Sequence, residues 1–539
     1  MEQAAVPVPA PVQTAPRRWW IAVVVLVGAL IVVGGALAAT KIFTATRATF
    51  ADSMPPDTAA FFHVDLLNLL RSSELDRMLE AFQAENELGD PIEDAVSEID
   101  RLLLEETKFD LTNDIVPWMG RGVGIGVSTL GLTGDETEFI TAIDVRDSGK
   151  FKEFLPKLQA TIEETDGPLV ESEYEGVTIY TAGDGAFALS KAVFLIGSSS
   201  FAVRDAIDAQ LGESLADSPD FEATLDRLPA NRVFTAWVDA SNYVDELAGL
   251  GTLSGGGLIE PGLFNSDDFP TSYGFSGRFV DAGIRFDFVA IYPEDSDFLD
   301  PWRDGRLNTA ELAPDSTLGF LAVPPFVDQY TDLFREELAE EYDDARSQVF
   351  EGFGIDLEAD LLALLDGEFG FVVTEEPGGL MDREFEIPLG FAAFLGTSEQ
   401  DHLRSTLTQF VDNSRDNIDI LGPFGDPELY EVTGTFDGAN IPFGVDYGYL
   451  MVATERRTLE DIFRDTDNKL VDDPTFKNAA SELDDMELVF YVDMLKIYNL
   501  LESQDETVPD EIRALESMLA GERVDGNVLL AAFVIAIDY

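Results

Sequence analysis

Residues 195–221 and 450–476 carry one pattern twice. Laid together at a constant offset of 255, Leu215, Asp217, Pro219 and Phe221 meet Leu470, Asp472, Pro474 and Phe476. Upstream, FDLTNDIVPWMGRGVGIGV from Phe109 matches IDLEADLLALLDGEFGFVV from Ile355 in the same order, though at a different offset. A repeat of this period makes each copy a structural unit. The chain therefore reads as a tandem of two related halves, 54–296 and 312–539, joined by a linker at 297–311.

A shorter phrase recurs within each half: MPPDTAAFFHVDLLNLL from Met54, LPANRVFTAWVDASNYV from Leu228, LAPDSTLGFLAVPPFVDQY from Leu312 and LDDMELVFYVDMLKIYNLL from Leu483. In each, an acidic or proline-containing turn leads into an apolar, aromatic-rich run that hands over to a leucine-rich segment. This is the order loop, strand, helix.

The remaining patterns predict an α+β fold. DPIEDAVSEIDRLLLEE from Asp90 has an N-cap, Pro91 at the first helical position, Glu93 closing a capping box, and an apolar stripe. Further helices are expected from near Ser148 and near Thr397. Between them lie strand-like runs: GVGIGVST, EFITAIDV, GVTIYTAG, AFALSKAVFLIG, EFGFVVTE, LGFAAFLG and YGYLMVAT. Asp184–Gly185 and Asp437–Gly438 are the expected turns between adjacent strands. Short turns between consecutive strands favour antiparallel pairing, so each half is expected to be a mostly antiparallel sheet with helices on one face.

From Trp19 to Thr40 the chain runs 22 residues without a charge, about 33 Å as a helix against a hydrocarbon core of about 30 Å. Arg17 and Arg18 precede it, Trp19 and Trp20 suit an interfacial belt, and Lys41 follows. The expected layout is a Pro/Ala-rich cytoplasmic tail at 1–18, a transmembrane helix at 19–40 and a linker at 41–53. The large C-terminal part then lies outside the cytoplasm, in a single-pass cell-membrane protein. Ala36–Leu37–Ala38 is the competing reading as a signal-peptidase site, which would release the protein.

The opening after a single N-terminal span, FDLTNDIVPWMG, LADSPDFEATLDRLP and the duplicated order resemble an uncharacterised bacterial family of membrane-anchored proteins, the domain of unknown function 3352. The resemblance spans residues from about 50 to the C-terminus. It implies a bacterial envelope location; it implies no activity and supplies no catalytic or binding residue.

Charge narrows the partners. With 103 acidic against 34 basic residues the formal net charge is -69. Residues 1–40 hold only Glu2, Arg17 and Arg18, net +1, so the remainder carries -70. Such a field repels nucleic acid and anionic headgroups. Nine of the basic residues are lysine, and an acid-rich, lysine-poor surface suits salty surroundings, where screening relieves self-repulsion.

The inventory for catalysis is thin. There is no cysteine, which removes thiolate chemistry and disulfides. The two histidines, His63 and His402, have no close histidine partner in sequence. GRGVGIG, Gly120 to Gly126, lacks the lysine and helix start of a phosphate loop and reads as a strand. No nucleophile elbow occurs, and the serines after Gly197 read as helix caps. One segment resembles a calcium loop: DPWRDGRLNTAE places Asp300, Asp304 and Glu311 at positions 1, 5 and 12, with Trp302 unable to ligate at position 3. Calcium is the only cofactor the sequence suggests.

These features point to a non-catalytic binding or scaffold protein of the envelope, with an envelope protein, a peptide or a lipid as the open choices of ligand. A carboxylate-dependent extracytoplasmic hydrolase and a membrane-tethered sensor are the alternatives.

Overall fold

The computed structural model describes residues 50–65, 101, 104, 108–128, 138–241, 269–294, 296–304, 306–325, 339–379, 381–382, 388–414, 419–424, 428–436, 439–463, 469–483, 485–504, 506–509 and 512–538. The apolar segment 19–40 and most of the helix expected from Asp90 lie outside them. Among the described residues no helix is long and apolar enough to cross a membrane. The chain forms two compact units, one of residues 1–71 and 89–217, the other of 72–88 and 218–539.

The first unit contains β1 (Ala60–Asp65), β2 (Met119–Val127), β3 (Phe139–Val145), α1 (Ser148–Asp166), β4 (Val170–Tyr174), β5 (Val177–Ala182), β6 (Gly185–Ser190), β7 (Val193–Gly197) and α2 (Ser200–Leu211). Its sheet is antiparallel in the order β4-β5-β6-β7-β3-β2-β1. Glycines in β2 are required by close approach: a Cβ on Gly122 would lie 2.0 Å from the Val64 carbonyl oxygen, and one on Gly124 would lie 2.4 Å from the Phe50 side chain. GRGVGIG is thus a strand, glycine-rich because a neighbouring strand and a 3-10 turn at Phe50–Ser53 press against it.

Helices stand on both faces of this sheet, not on one. Phe151 of α1 packs on Phe194 of β7, ring centroids 5.0 Å apart. Val203 of α2 lies against Gly197, whose parity is opposite to that of Phe194. The physical reason is in the strands: Phe139–Val145 and Val193–Gly197 are nearly continuous apolar runs, so both faces need cover.

The second unit contains α3 (Pro219–Arg227), β8 (Phe234–Asp239), β9 (Ser272–Val280), β10 (Gly283–Ile291), α4 (Asp300–Asp304), α5 (Thr309–Leu312), β11 (Thr317–Val323), α6 (Ala339–Phe353), β12 (Phe369–Glu375) and β13 (Leu389–Gly396). It continues with α7 (Gln400–Ser414), β14 (Ile420–Phe424), β15 (Leu429–Phe436), β16 (Ala439–Asp446), β17 (Tyr449–Ala453), α8 (Arg456–Phe463), α9 (Pro474–Ala480), β18 (Glu487–Asp493), α10 (Met494–Ser503), β19 (Leu515–Asp525) and β20 (Val528–Ile537). Strand order is β14-β15-β16-β17-β13-β12-β11-β18-β19-β20-β10-β9-β8, again antiparallel. Here too the faces are shared. Phe410 of α7 meets Phe443, whose β17 partner is Val452, while Phe463 of α8 meets Phe394, whose partner is Met451.

The strands of all four recurring phrases are present as β1, β8, β11 and β18. The helix after β18 is α10; the segments after the other three lie outside the described residues. The two upstream motifs fold alike. Leu111–Ile115 and Leu357–Leu361 are both π-helical turns. The Asp110 amide donates to Asp114 at 3.1 Å, and the Asp356 amide to Asp360 at 2.9 Å. LADSPDF and LVDDPTF each give a 3-10 turn and a capped helix, with Ser218 capping α3 and Asp473 capping α9.

Two turn expectations shift. The β5–β6 turn is Gly183–Asp184, with Gly185 paired to Ala182, because Gly183 takes φ 57°. Asp437–Gly438 lies outside the described residues, although Phe436 and Ala439 pair on either side of it. AFALSKAVFLIG is two strands, joined at Lys191–Ala192.

Candidate functional site

The first unit holds a cleft of about 520 Å³ where its sheet splits. The β5–β6 ladder ends at Ile179 and Ala188. Beyond that point β5 stays paired with β4 as far as Tyr174 and Val177, and β6 with β7 as far as Ser190 and Val193. The two hairpins therefore diverge, each finishing in a two-residue turn: Glu175–Gly176 with φ 49° and 77°, and Lys191–Ala192 with φ 46° and 63°. These are the mirror-image turns that suit the twist of a hairpin.

The gap reaches both helical layers. From one side α1 presents Phe151 and Leu155 beside Tyr180 and Phe187, whose rings stack at 5.2 Å. From the other, α2 presents Ile207 and Leu211; Ile207 is buried, whereas Leu211 is 58% exposed at the rim. Glu175 and Lys191 are the charged residues of the lining, and both sit on the turns. The lining mixes apolar side chains with the polar groups of Thr178, Tyr180 and the buried Ser190, in the volume range usual for small-ligand sites.

The floor is held rigid. Trp118 packs edge-on to Phe151 at 5.0 Å and stacks on Phe154 at 5.3 Å, and its indole N–H donates to the Asp114 carbonyl at 2.7 Å. On the other wall, Ser199 caps α2 by accepting from the Ala202 amide at 3.1 Å, as the serine run after Gly197 predicts. Gln210, near the C-terminal end of α2, bonds Ser190 at 2.7 Å and Ser53 at 2.9 Å, and its carbonyl accepts from the Lys191 ammonium. At the outer edge Tyr174 donates to both oxygens of Asp208, at 2.8 and 3.0 Å. That bond to a carboxylate raises the Tyr174 pKa.

In the second unit, polar groups of α7 bond the end of the β16–β17 hairpin. Gln400 of α7 accepts from the Gly448 amide, and Arg404 reaches Asp446 at 2.9 Å and the Val445 carbonyl at 3.3 Å.

The residues singled out for chemistry sit elsewhere. Asp300 opens α4 and pairs with Arg303; Glu311 lies in α5 and pairs with Arg306 at 3.1 Å. The Asp304 side chain and Gly305 lie outside the description. The segment is two short helices, and Trp302 stacks on Phe298 at 5.5 Å. A more open hollow of about 420 Å³ nearby is lined by Glu294, Arg303, Gly526 and Asn527. Among the described residues no group of three His, Asp or Glu side chains is placed to hold a metal ion. His63 lies in β1 beside Phe50 and Phe61, and His402 is exposed on α7.

Buried ionic groups in the second unit carry structure. Asp287 accepts from Arg285 at 2.7 Å and Arg278 at 3.3 Å. Glu368 accepts from the Asn308 amide and from Tyr449 at 2.8 Å. The Lys496 ammonium joins Asp473 and Asp493, both at 3.0 Å, so that it ties the N-caps of α9 and α10 together.

Sequence reasoning missed the cleft. Its available signal was the inward apolar pair Phe151 and Leu155, four apart on a helix, facing two hairpins of unequal reach.

Comparison with solved structures returns three crystal forms of TP0453, each at a TM-score of 0.24. Form I is 6% identical, with 46% of this chain and 80% of that chain covered. Form IV is 8% identical, with 45% and 83% covered. No curated protein matches. A family model described as Protein of unknown function (DUF3352) matches residues 20–520, and the chain belongs to that family.

Proposed function

We propose that this is a membrane-anchored, extracytoplasmic binding protein whose first unit takes a small amphipathic ligand into the cleft between its diverging hairpins. The observation that carries the reading is the cleft itself: about 520 Å³, lined by Phe151, Leu155, Phe187 and Ile207 together with Thr178, Tyr180 and Ser190, with the charged Glu175 and Lys191 on its two turns. Burying apolar ligand surface there contributes about 25 cal/mol per Å² before ordering costs are met. The uncharged run from Trp19 to Thr40 supports the anchor, and Arg17 and Arg18 before it, the order of an export signal, support the orientation. Duplication of one ancestral module is part of this reading. It is supported by the order β4-β5-β6-β7-β3-β2-β1 recurring as β14-β15-β16-β17-β13-β12-β11, and by the paired π-helical turns.

The test is titration of the full chain with a neutral, environment-sensitive dye such as N-phenylnaphthylamine. One saturable site, lost in Leu155→Trp while cooperative unfolding persists, is the expected result. Equal dye binding by the wild type and Leu155→Trp would overturn the reading.

A further inference from the structure

The geometry points to β4 as a docking edge for an extended peptide that alternates basic and apolar residues, bound by strand addition. Among the described strands β4 pairs only with β5, so its other edge has no ladder. The closing pair of the β4–β5 hairpin is Tyr174 and Val177. In such a hairpin that pair exchanges both backbone bonds, and the pattern alternates along the strand. Ser172 and Val170 therefore bond inward, while the N–H and C=O groups of Glu171 and Glu173 point outward.

The side chains beside this edge differ by face. Glu171 and Glu173 are exposed and share the face of their partners Tyr180 and Thr178. A second copy of β4 would bring four carboxylates together, which disfavours self-pairing, whereas a strand with lysine or arginine at those positions is attracted.

The opposite face carries Val170, 63% exposed, and Tyr174. Arg204 of α2 stands over the Tyr174 ring at 5.4 Å and over Phe201 at 5.8 Å, and Phe201 is 65% exposed. The Arg204 Nε is buried and bonded to no described group. In a chain with 103 acids, an arginine laid on two aromatic rings in this way prepares a surface for an apolar or aromatic side chain and for a peptide carbonyl that the guanidinium bonds. The alternation of the two faces sets the alternation of the peptide.

The probe is a blocked seven-residue peptide alternating valine and lysine, titrated into the full chain at about 0.15 M salt, where exposed charge pairs still act. The same peptide with a central proline, and one alternating valine and glutamate, are the controls. Glu173→Pro removes one outward donor without touching the β4–β5 ladder, because its N–H faces away from β5. The wild type is expected to bind the valine–lysine peptide at least tenfold more tightly than either control, and Glu173→Pro to weaken it by roughly tenfold. A chain carrying both Glu171→Lys and Glu173→Lys is expected to reverse the preference toward the valine–glutamate peptide. Equal binding of the proline peptide, unchanged binding by Glu173→Pro, or no reversal of preference would each overturn the assignment.

Discussion

Replacing Ala192 by glycine should stabilise the first unit. The turn at Lys191–Ala192 holds both residues at positive φ, 46° and 63°. A left-handed conformation costs a residue with a Cβ about 1–2 kcal/mol, and the greater unfolded freedom of glycine returns about 0.5–1 kcal/mol of that. The net gain is about 0.5–1 kcal/mol, or a rise of about 1–4 °C in the melting temperature of a unit this size. Among the described residues the other two turns of this kind place glycine second, Gly176 at φ 77° and Gly448 at φ 82°. Gly448→Ala is therefore the reciprocal experiment in the second unit, with a loss of about 1 kcal/mol. Scanning calorimetry at fixed salt reads both. An Ala192→Gly chain that melts at or below the wild-type temperature would refute the argument from backbone strain.

Two further outcomes follow from the charges. Burial raises the Asp473 pKa, but the Lys496 ammonium and the Thr475 and Phe476 amides outweigh it and hold the carboxyl below its ordinary value. The stability this confers is present above about pH 3.9, the unfolded value, and is lost as pH falls through the depressed folded pKa. Lys496→Met should cost about 3 kcal/mol at neutral pH by stranding the buried Asp493; an acid-unfolding midpoint of the second unit no higher than in the wild type would contradict this. A formal charge of -69 implies that removing salt lowers the melting temperature. Thermal unfolding unchanged between low and molar salt would remove the halotolerance reading.

Much of the framework was legible because it rests on local signals. The starts of α1 and α7, the glycine strand β2 and the serine cap of α2 each follow from residues within one turn. The hairpin at Lys191–Ala192 escaped notice because neither residue favours positive φ, so β6 and β7 read as one run. Cover on both sheet faces was encoded in the nearly continuous apolar runs of β3 and β7, whereas the expectation of helices on one face came from the short turns between strands. The cleft was not legible, since it depends on where the β5–β6 ladder stops and on which side chains two helices, Ser148–Asp166 and Ser200–Leu211, turn toward the gap. The calcium-like spacing of Asp300, Asp304 and Glu311 carried no information about the arginines that Asp300 and Glu311 meet.

Native mass spectrometry of the full chain, purified in mild detergent at its native salt, addresses the binding role without choosing a ligand beforehand. The expected spectrum shows one small amphipathic molecule per chain, displaced by the dye and missing from Leu155→Trp. Wild-type protein that arrives empty, and stays empty when incubated with an extract of its own membranes, would contradict the assignment of the cleft.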